Sequence, residues 1–223
     1  MTTDERVRCA LILTHNRPEL LRAGIEAILP QVDQLLIFDN ASSPPSDIPK
    51  DSRVASFYWP EQPPNIARMW NIGWDLLASI THNEPRDIAM LCDDVIVPGD
   101  WYARVVAGMR ETGATAGCAN PWGRQHAPVV KTAPDSDIAG RMVGWAYVID
   151  GDRGIRADET MHWWWQDTSV DFDCRINGGM VMVGGPAAPN SRPGDYTNTI
   201  PGLGEQTGRD REAFRKRWGY VPW

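Results

Sequence analysis

A chain of 223 residues, 42% hydrophobic and 23% charged, is long enough to bury a core without metals or disulfides to staple it. Its net charge of −7, with no long basic run, argues against capture of a nucleic-acid backbone, and no apolar run reaches the roughly 20 residues of a membrane span. The opening MTTDE lacks the basic and apolar regions of a signal peptide, so the expected compartment is the cytoplasm.

Val7 to Leu13 (VRCALIL) is a short run of strand formers that stops at Thr14-His15-Asn16-Arg17. Pro18 then opens a helical pattern with Leu20, Leu21, Ile25 and Ile28 on one face, and Pro30 closes it. A second strand, Leu35 to Phe38, ends at Asp39-Asn40 and completes a strand–helix–strand unit of the kind that builds parallel sheets. After a polar, Pro-rich loop, Val54 to Trp59 reads as a third strand and Asn65 to Ser79 as a helix. Ile88 to Leu91 is a fourth strand running into Asp93-Asp94, and Asp100 is placed to cap a helix reaching about Thr112. The second half is less regular. Ala114 to Ala119, Trp145 to Ile149 and Gly179 to Val183 read as strands, and Ala157 to Ile176 as an interrupted helix. Asn190 to Gly208 reads as a long loop of the sort that covers active sites, and Asp210 to Trp218 as a closing helix.

Cys9, Cys92, Cys118 and Cys174 are far apart and show no paired metal spacing, which suits reduced thiols in a core. The basic cluster Arg209, Arg211, Arg215, Lys216 and Arg217 fits a solvated helix face. The 11 tryptophans include the run Trp163-Trp164-Trp165; indoles stack on sugar rings, yet most simply fill cores.

Ligands of open parallel sheets bind at the carboxyl ends of the strands. Three such ends here deliver polar or acidic groups to one edge: Thr14-His15-Asn16, Asp39-Asn40 and Asp93-Asp94. Adjacent carboxylates beside an apolar strand repel each other and lose solvation, so they call for a cation or hydroxyl donors. Mn²⁺ or Mg²⁺ held by one carboxylate and two phosphate oxygens meets that demand.

The ordered set ALILTHNRPELLR, LLIFDNAS, NIARMWNIGWDLL and MLCDDVIVPGDW resembles successive landmarks of the family 2 glycosyltransferases and covers about the first 110 residues. The second half resembles the family through WAYVIDGDRG, DETMHWWWQD and VDFDCRINGGMVMV. The resemblance implies one α/β domain of the GT-A type over residues 1–223, with a central, mostly parallel sheet flanked by helices. About residues 1–112 would bind a nucleotide sugar and about 113–223 the acceptor. It also implies roles. Thr14 lies near the nucleotide base, Asp39 accepts from the N3–H of uracil or thymine, Asp93 faces the ribose, and Asp94 the metal. Asn16, Arg17, Asn65, Arg68, Asn71 and Trp165 fall along the same nucleotide-sugar site. The family's acidic metal motif would start at Cys92 here, and its histidine after the last strand has no counterpart in VGGPAAPNS, where Asn190 is nearest. The general base falls in WWWQDTSVDFDCR, at Asp167 or, in a later register, at Asp171. The implied reaction is inverting transfer from a UDP- or dTDP-sugar, aided by Mn²⁺ or Mg²⁺, to an acceptor that a saccharide, a protein or a modified nucleobase could supply. Two rivals are a nucleotidyltransferase, whose usual Gly-rich loop THNRPELL lacks, and a binding module that has lost the reaction.

Overall fold

In the computed structural model, which describes residues 6–60, 63–137, 140–189 and 202–221, β1 (Val7–Thr14) is the axis of the sheet. It pairs in parallel with β2 (Gln34–Asp39) and β4 (Arg86–Cys92), and β2 pairs in parallel with β3 (Val54–Tyr58). β7 (Ala146–Asp150) lies antiparallel between β4 and β5 (Ala116–Ala119). β8 (Met180–Val183) runs parallel to β5, and the edge strand β6 (Val129–Lys131) antiparallel to β8. The result is one mixed, mostly parallel sheet of eight strands in the order β3-β2-β1-β4-β7-β5-β8-β6.

Strands covered on both faces need a continuous apolar run, and β1 supplies one from Cys9 to Leu13. Ala10 and Ile12 face α1 (Pro18–Ile28) and α3 (Trp101–Thr112), through Leu21, Ile25, Trp101 and Val105. Cys9 and Leu11 face α2 (Ile66–Ile80) and α4 (Gln166–Ile176), through Trp70, Trp74, Leu77 and Val170. Gly73 lets α2 settle onto β1, because a Cβ there would meet the Leu11 side chain at 2.5 Å. The closing helix α5 (Leu203–Trp218) packs on α4 through Phe214, which meets Trp165 and Phe172.

The amino edge of the sheet is tied by ions. Arg6 pairs with Asp87 of β4 at 3.2 Å, Asp150 of β7 at 2.5 Å and Asp152 at 2.7 Å. The cysteines are free, and Cys9, Cys118 and Cys174 are buried. No helix among the described residues is long and apolar enough to cross a membrane.

Four expectations change. Helix forms only from Gln166, not from Ala157, because residues 157–165 run as turns held by contacts described below. α5 begins at Leu203, ahead of Asp210, so residues 203–208 are helix rather than loop; residues 190–201 lie outside the described residues. Asp100 stands at the start of α3 but makes no capping hydrogen bond, pairing instead with Arg104 at 3.5 Å. β6 was not expected: VVK is too short to show a period.

Candidate active site

The carboxyl ends of β1, β2 and β4 stand side by side, with Thr14 level with Asp39 and Leu13 level with Cys92. Thr14, Asp39, Asp93 and Asp94 are all buried there. The Thr14 hydroxyl donates to Asp93 Oδ2 at 3.0 Å. Arg17, the residue before α1, donates from Nη1 to Asp93 Oδ1 at 2.9 Å and lies 3.6 Å from Asp94 Oδ2. One guanidinium thus spans both carboxylates. Burial still holds the Asp93 carboxyl above its ordinary range, against the lowering by Arg17 and Thr14 and with the raising by Asp94.

Asp39 acts on its own loop. Its two oxygens accept the backbone N–H of Ser42 at 2.9 Å and of Ser46 at 2.8 Å. Burial opposes its charge, but these serine bonds outweigh it and lower the pKa. Asn16, in the left-handed region at φ 54°, links the same loop to β1. Its N–H donates to the Ser42 hydroxyl at 2.9 Å, and its Oδ1 accepts from the Ser43 N–H at 2.7 Å. The loop-holding pair Ser42 and Ser46 was not legible as such, since serines in a polar loop carry no distinguishing pattern.

From the second half, Asp167 in the first turn of α4 reaches the same edge. Its carboxylate fills the space beside Gly144, just before β7, where any Cβ would collide with it. Burial pushes the Cys92 thiol well up, and the charges of Asp94, Asp93 and Asp167 add to the rise while Arg17 opposes it. The Cys92 N–H donates to the Trp145 carbonyl at 3.0 Å, so Gly144 and the Asp167 carboxylate beside it stand next to the end of β4 that leads into Asp93 and Asp94. Gly144 was missed in the sequence, where one glycine among 20 gives no signal.

Asp171 is not available as a base. It is fully buried, binds Arg175 at 2.9 and 2.7 Å through both oxygens, and accepts the Met142 N–H at 3.2 Å. Arg175 also meets Asp135 at 3.1 Å, so Asp171 belongs to a structural ion cluster.

Asn65, Arg68 and Asn71, of α2 and its cap, stitch residues 157–159 to the helix. Asn65 accepts from the Arg68 N–H at 3.0 Å as the helix cap and donates to the Glu159 carbonyl at 3.1 Å. Arg68 pairs with Glu159 at 3.0 Å. Asn71 donates to the Ala157 carbonyl and to Glu159 Oε1, both at 3.0 Å, and accepts from the Ala157 N–H at 3.0 Å. Trp165 leaves the ligand surface: it is buried against Phe214 with φ 72°, whereas Trp164 is exposed.

The residue that shapes this segment is Asp210 of α5, read in the sequence only as a helix start. Fully buried, it accepts the backbone N–H of His162, Trp163 and Trp164 at 2.8–2.9 Å and the Gln206 amide at 2.6 Å. Nothing in the sequence links positions 162 and 210.

Among the described residues no group of three or more His, Cys, Asp or Glu side chains could cage a metal. The buried Asp94 carboxylate suits a different arrangement, in which substrate phosphates complete the shell. The residues present therefore fit a cation held jointly with a diphosphate. Asn190 lies outside the described residues.

No protein-family model and no curated protein matches the sequence. Solved structures do match in shape. S. aureus TarS 1-349 in complex with UDP-GlcNAc superposes with a TM-score of 0.60 at 9% identity, over 96% of this chain and 73% of that one. The fold is GT-A-like. Mannosyltransferase PcManGT from Pyrobaculum calidifontis, in complex with GDP-Man and Mn²⁺, superposes at 0.58 and 12% identity, over 97% of this chain and 66% of that one. A 4-diphosphocytidyl-2C-methyl-D-erythritol synthase superposes at 0.50 and 14% identity, over 87% of this chain and 96% of that one. The chain spans 59% of another TarS 1-349 structure and 36% of a longer TarS chain.

Proposed function

We propose that the chain transfers a sugar from a nucleoside-diphosphate sugar to an acceptor hydroxyl, with inversion at the anomeric carbon. The observation that carries this reading is the meeting of Thr14, Arg17, Asp93 and Asp94 with Asp167, which stands beside Gly144 next to the end of β4, at one edge of a GT-A-like sheet. Glycosyltransferases with bound UDP-GlcNAc and GDP-Man share that fold, which supports the reaction class.

In this reading about residues 1–112 bind the donor and about 113–223 receive the acceptor. The base of a UDP- or dTDP-sugar lies over the ends of β1 and β2. A carboxylate oxygen has a second acceptor site, so Asp39 can hold its loop and still take a pyrimidine N3–H. Asp93 faces the ribose, with Thr14 and Arg17 fixing its orientation. Asp94 would hold Mn²⁺ or Mg²⁺ together with the diphosphate, where the cation neutralises the leaving group. Mn²⁺ in the PcManGT complex supports this choice. Asp167 takes the proton of the acceptor hydroxyl, whose oxygen attacks the anomeric carbon from the face opposite the diphosphate as the bond to the diphosphate breaks.

The shape match to the synthase, which covers 96% of that chain, favours one second reading, nucleotidyl transfer. The two differ in product. Attack at carbon releases a nucleoside diphosphate, and attack at phosphorus releases pyrophosphate.

The deciding experiment is a thermal-shift panel of UDP-, dTDP-, GDP- and CDP-sugars with and without Mn²⁺. Metal-dependent stabilisation by a UDP- or dTDP-sugar is expected, since a ligand that binds only the folded state raises its melting temperature. Stabilisation by no nucleotide sugar overturns the proposal. Nucleoside triphosphates are added to the same panel; stabilisation by them alone, with pyrophosphate released on turnover, selects the second reading.

A further inference from the structure

Arg17 is the feature of the edge that the proposed reaction does not fully use. Two adjacent carboxylates, 5% and 7% exposed, repel each other and lose solvation in such a place, and a counter-cation offsets both costs. Arg17 supplies one, at 2.9 Å from Asp93 and 3.6 Å from Asp94. The atom it approaches on Asp94 belongs to the carboxylate that would hold the divalent ion. A guanidinium and a doubly charged ion this close together repel, so the two compete for the same carboxylate.

The location of Arg17 gives the guanidinium somewhere to go. The residue sits at the N-cap of α1, with its side chain 18% exposed, at the mouth of the edge rather than inside it. A diphosphate arriving there meets a helix N-terminus and, beside it, a planar five-donor cation suited to phosphate oxygens.

We propose that Arg17 is an internal cation that neutralises Asp93 and Asp94 until a divalent ion and a diphosphate arrive together. The ion then takes the guanidinium's place at Asp94 and the guanidinium turns to the diphosphate, so metal and nucleotide bind cooperatively. The inference rests on the nucleotide-sugar reading of the site and adds a reason for its metal and donor to be coupled. Coupling of this kind is reciprocal: each ligand raises the affinity for the other by the same factor.

The test is calorimetric titration of Mn²⁺, with and without saturating UDP, into the wild-type chain and Arg17→Gln. Arg17→Met is a second neutral variant should Gln disturb the fold, and Arg17→Lys retains the charge. Removing the charge should strengthen binding of Mn²⁺ alone by about tenfold and shrink the gain caused by UDP by a similar factor, while Arg17→Lys stays near wild type. Mn²⁺ alone binding the neutral variants no tighter than wild type overturns the inference, as does Mn²⁺ binding to none of the proteins. UDP binding to wild type with no dependence on Mn²⁺ also overturns it but leaves the donor reading standing. UDP failing to bind wild type even with Mn²⁺ defeats the donor reading, and the Mn²⁺-only comparison still reports on Arg17.

Discussion

The carboxylate of Asp167 occupies the space that any side chain at position 144 would need. A single missing methyl group before β7 therefore decides where an acid of α4 can stand. Gly144→Ala should push that carboxylate aside. We expect the transfer rate to fall while donor affinity holds, with destabilisation of about 1–3 kcal/mol from overpacking. Steady-state kinetics and donor calorimetry on one preparation check both parts. Unchanged turnover would remove Asp167 from the reaction.

Asp167 and Asp171 should separate cleanly. Asp167→Asn keeps the shape but cannot take a proton at neutral pH, so transfer should drop about 10²–10⁴-fold with donor affinity near wild type. Asp171→Asn breaks a fully buried ion pair with Arg175 and should cost about 3–5 kcal/mol of stability. Urea denaturation and initial rates measured on both variants distinguish the roles.

Asp94→Ala should abolish the metal-dependent part of donor binding and leave the far-UV spectrum intact. Its carboxylate lies at the end of β4, outside the strand ladder. The check is nucleotide-sugar affinity with and without Mn²⁺. Equal metal dependence in wild type and variant would place the cation elsewhere.

Asp210→Ala leaves three backbone N–H groups at residues 162–164 without their acceptor. Each such loss costs about 1–3 kcal/mol when the group stays buried. We expect a destabilised α4–α5 contact, seen as a lower melting temperature and faster proteolysis within α5, and a fall in transfer that follows the displaced start of α4.

Asp173 predicts a pH effect. Burial pushes its carboxyl up to about 6, with Arg217 opposing and Asp158 adding to the rise. A folded pKa above the ordinary carboxylate value means the folded state binds this proton more tightly than the unfolded chain. The contribution is therefore fully present below about pH 4 and is lost as pH rises to about 6. Asp173→Asn should remove that slope. The stability of wild type relative to the variant should fall between about pH 4 and 6 and stay flat above. Melting temperatures across this window test it, and parallel curves would refute it.

Much of the polar sheet edge could be read from the chain because its signals are local. VRCALIL, LLIF and IAML are continuous apolar runs, each stopping at the polar residues that the sheet brings together. Asp167 stands out as a candidate because its motif lies in one short stretch. What stayed hidden depends on residues distant in sequence. Asn65 and Asn71 hold residues 157–159, a contact that no local pattern announces. Trp165 looked like a sugar platform until Phe214 covered it. Asp171 was a plausible base until Arg175, one turn on, claimed both oxygens. An acid that binds a ligand and an acid that binds a neighbour have the same letter, and only tertiary contacts separate them.

The grip of Asp210 on residues 162–164 also makes the start of α4 depend on the last helix. A chain synthesised as far as residue 189 contains every described strand of the sheet and both acids after β4. It lacks the acceptor for the turn that leads into α4, and it lacks Phe214, against which Trp165 packs. Such a chain could pair its strands and gather the acids of the sheet edge, while the turn that leads to Asp167 would lack its anchor. Under the proposed function, α5 is the segment that brings the base into register with the donor edge.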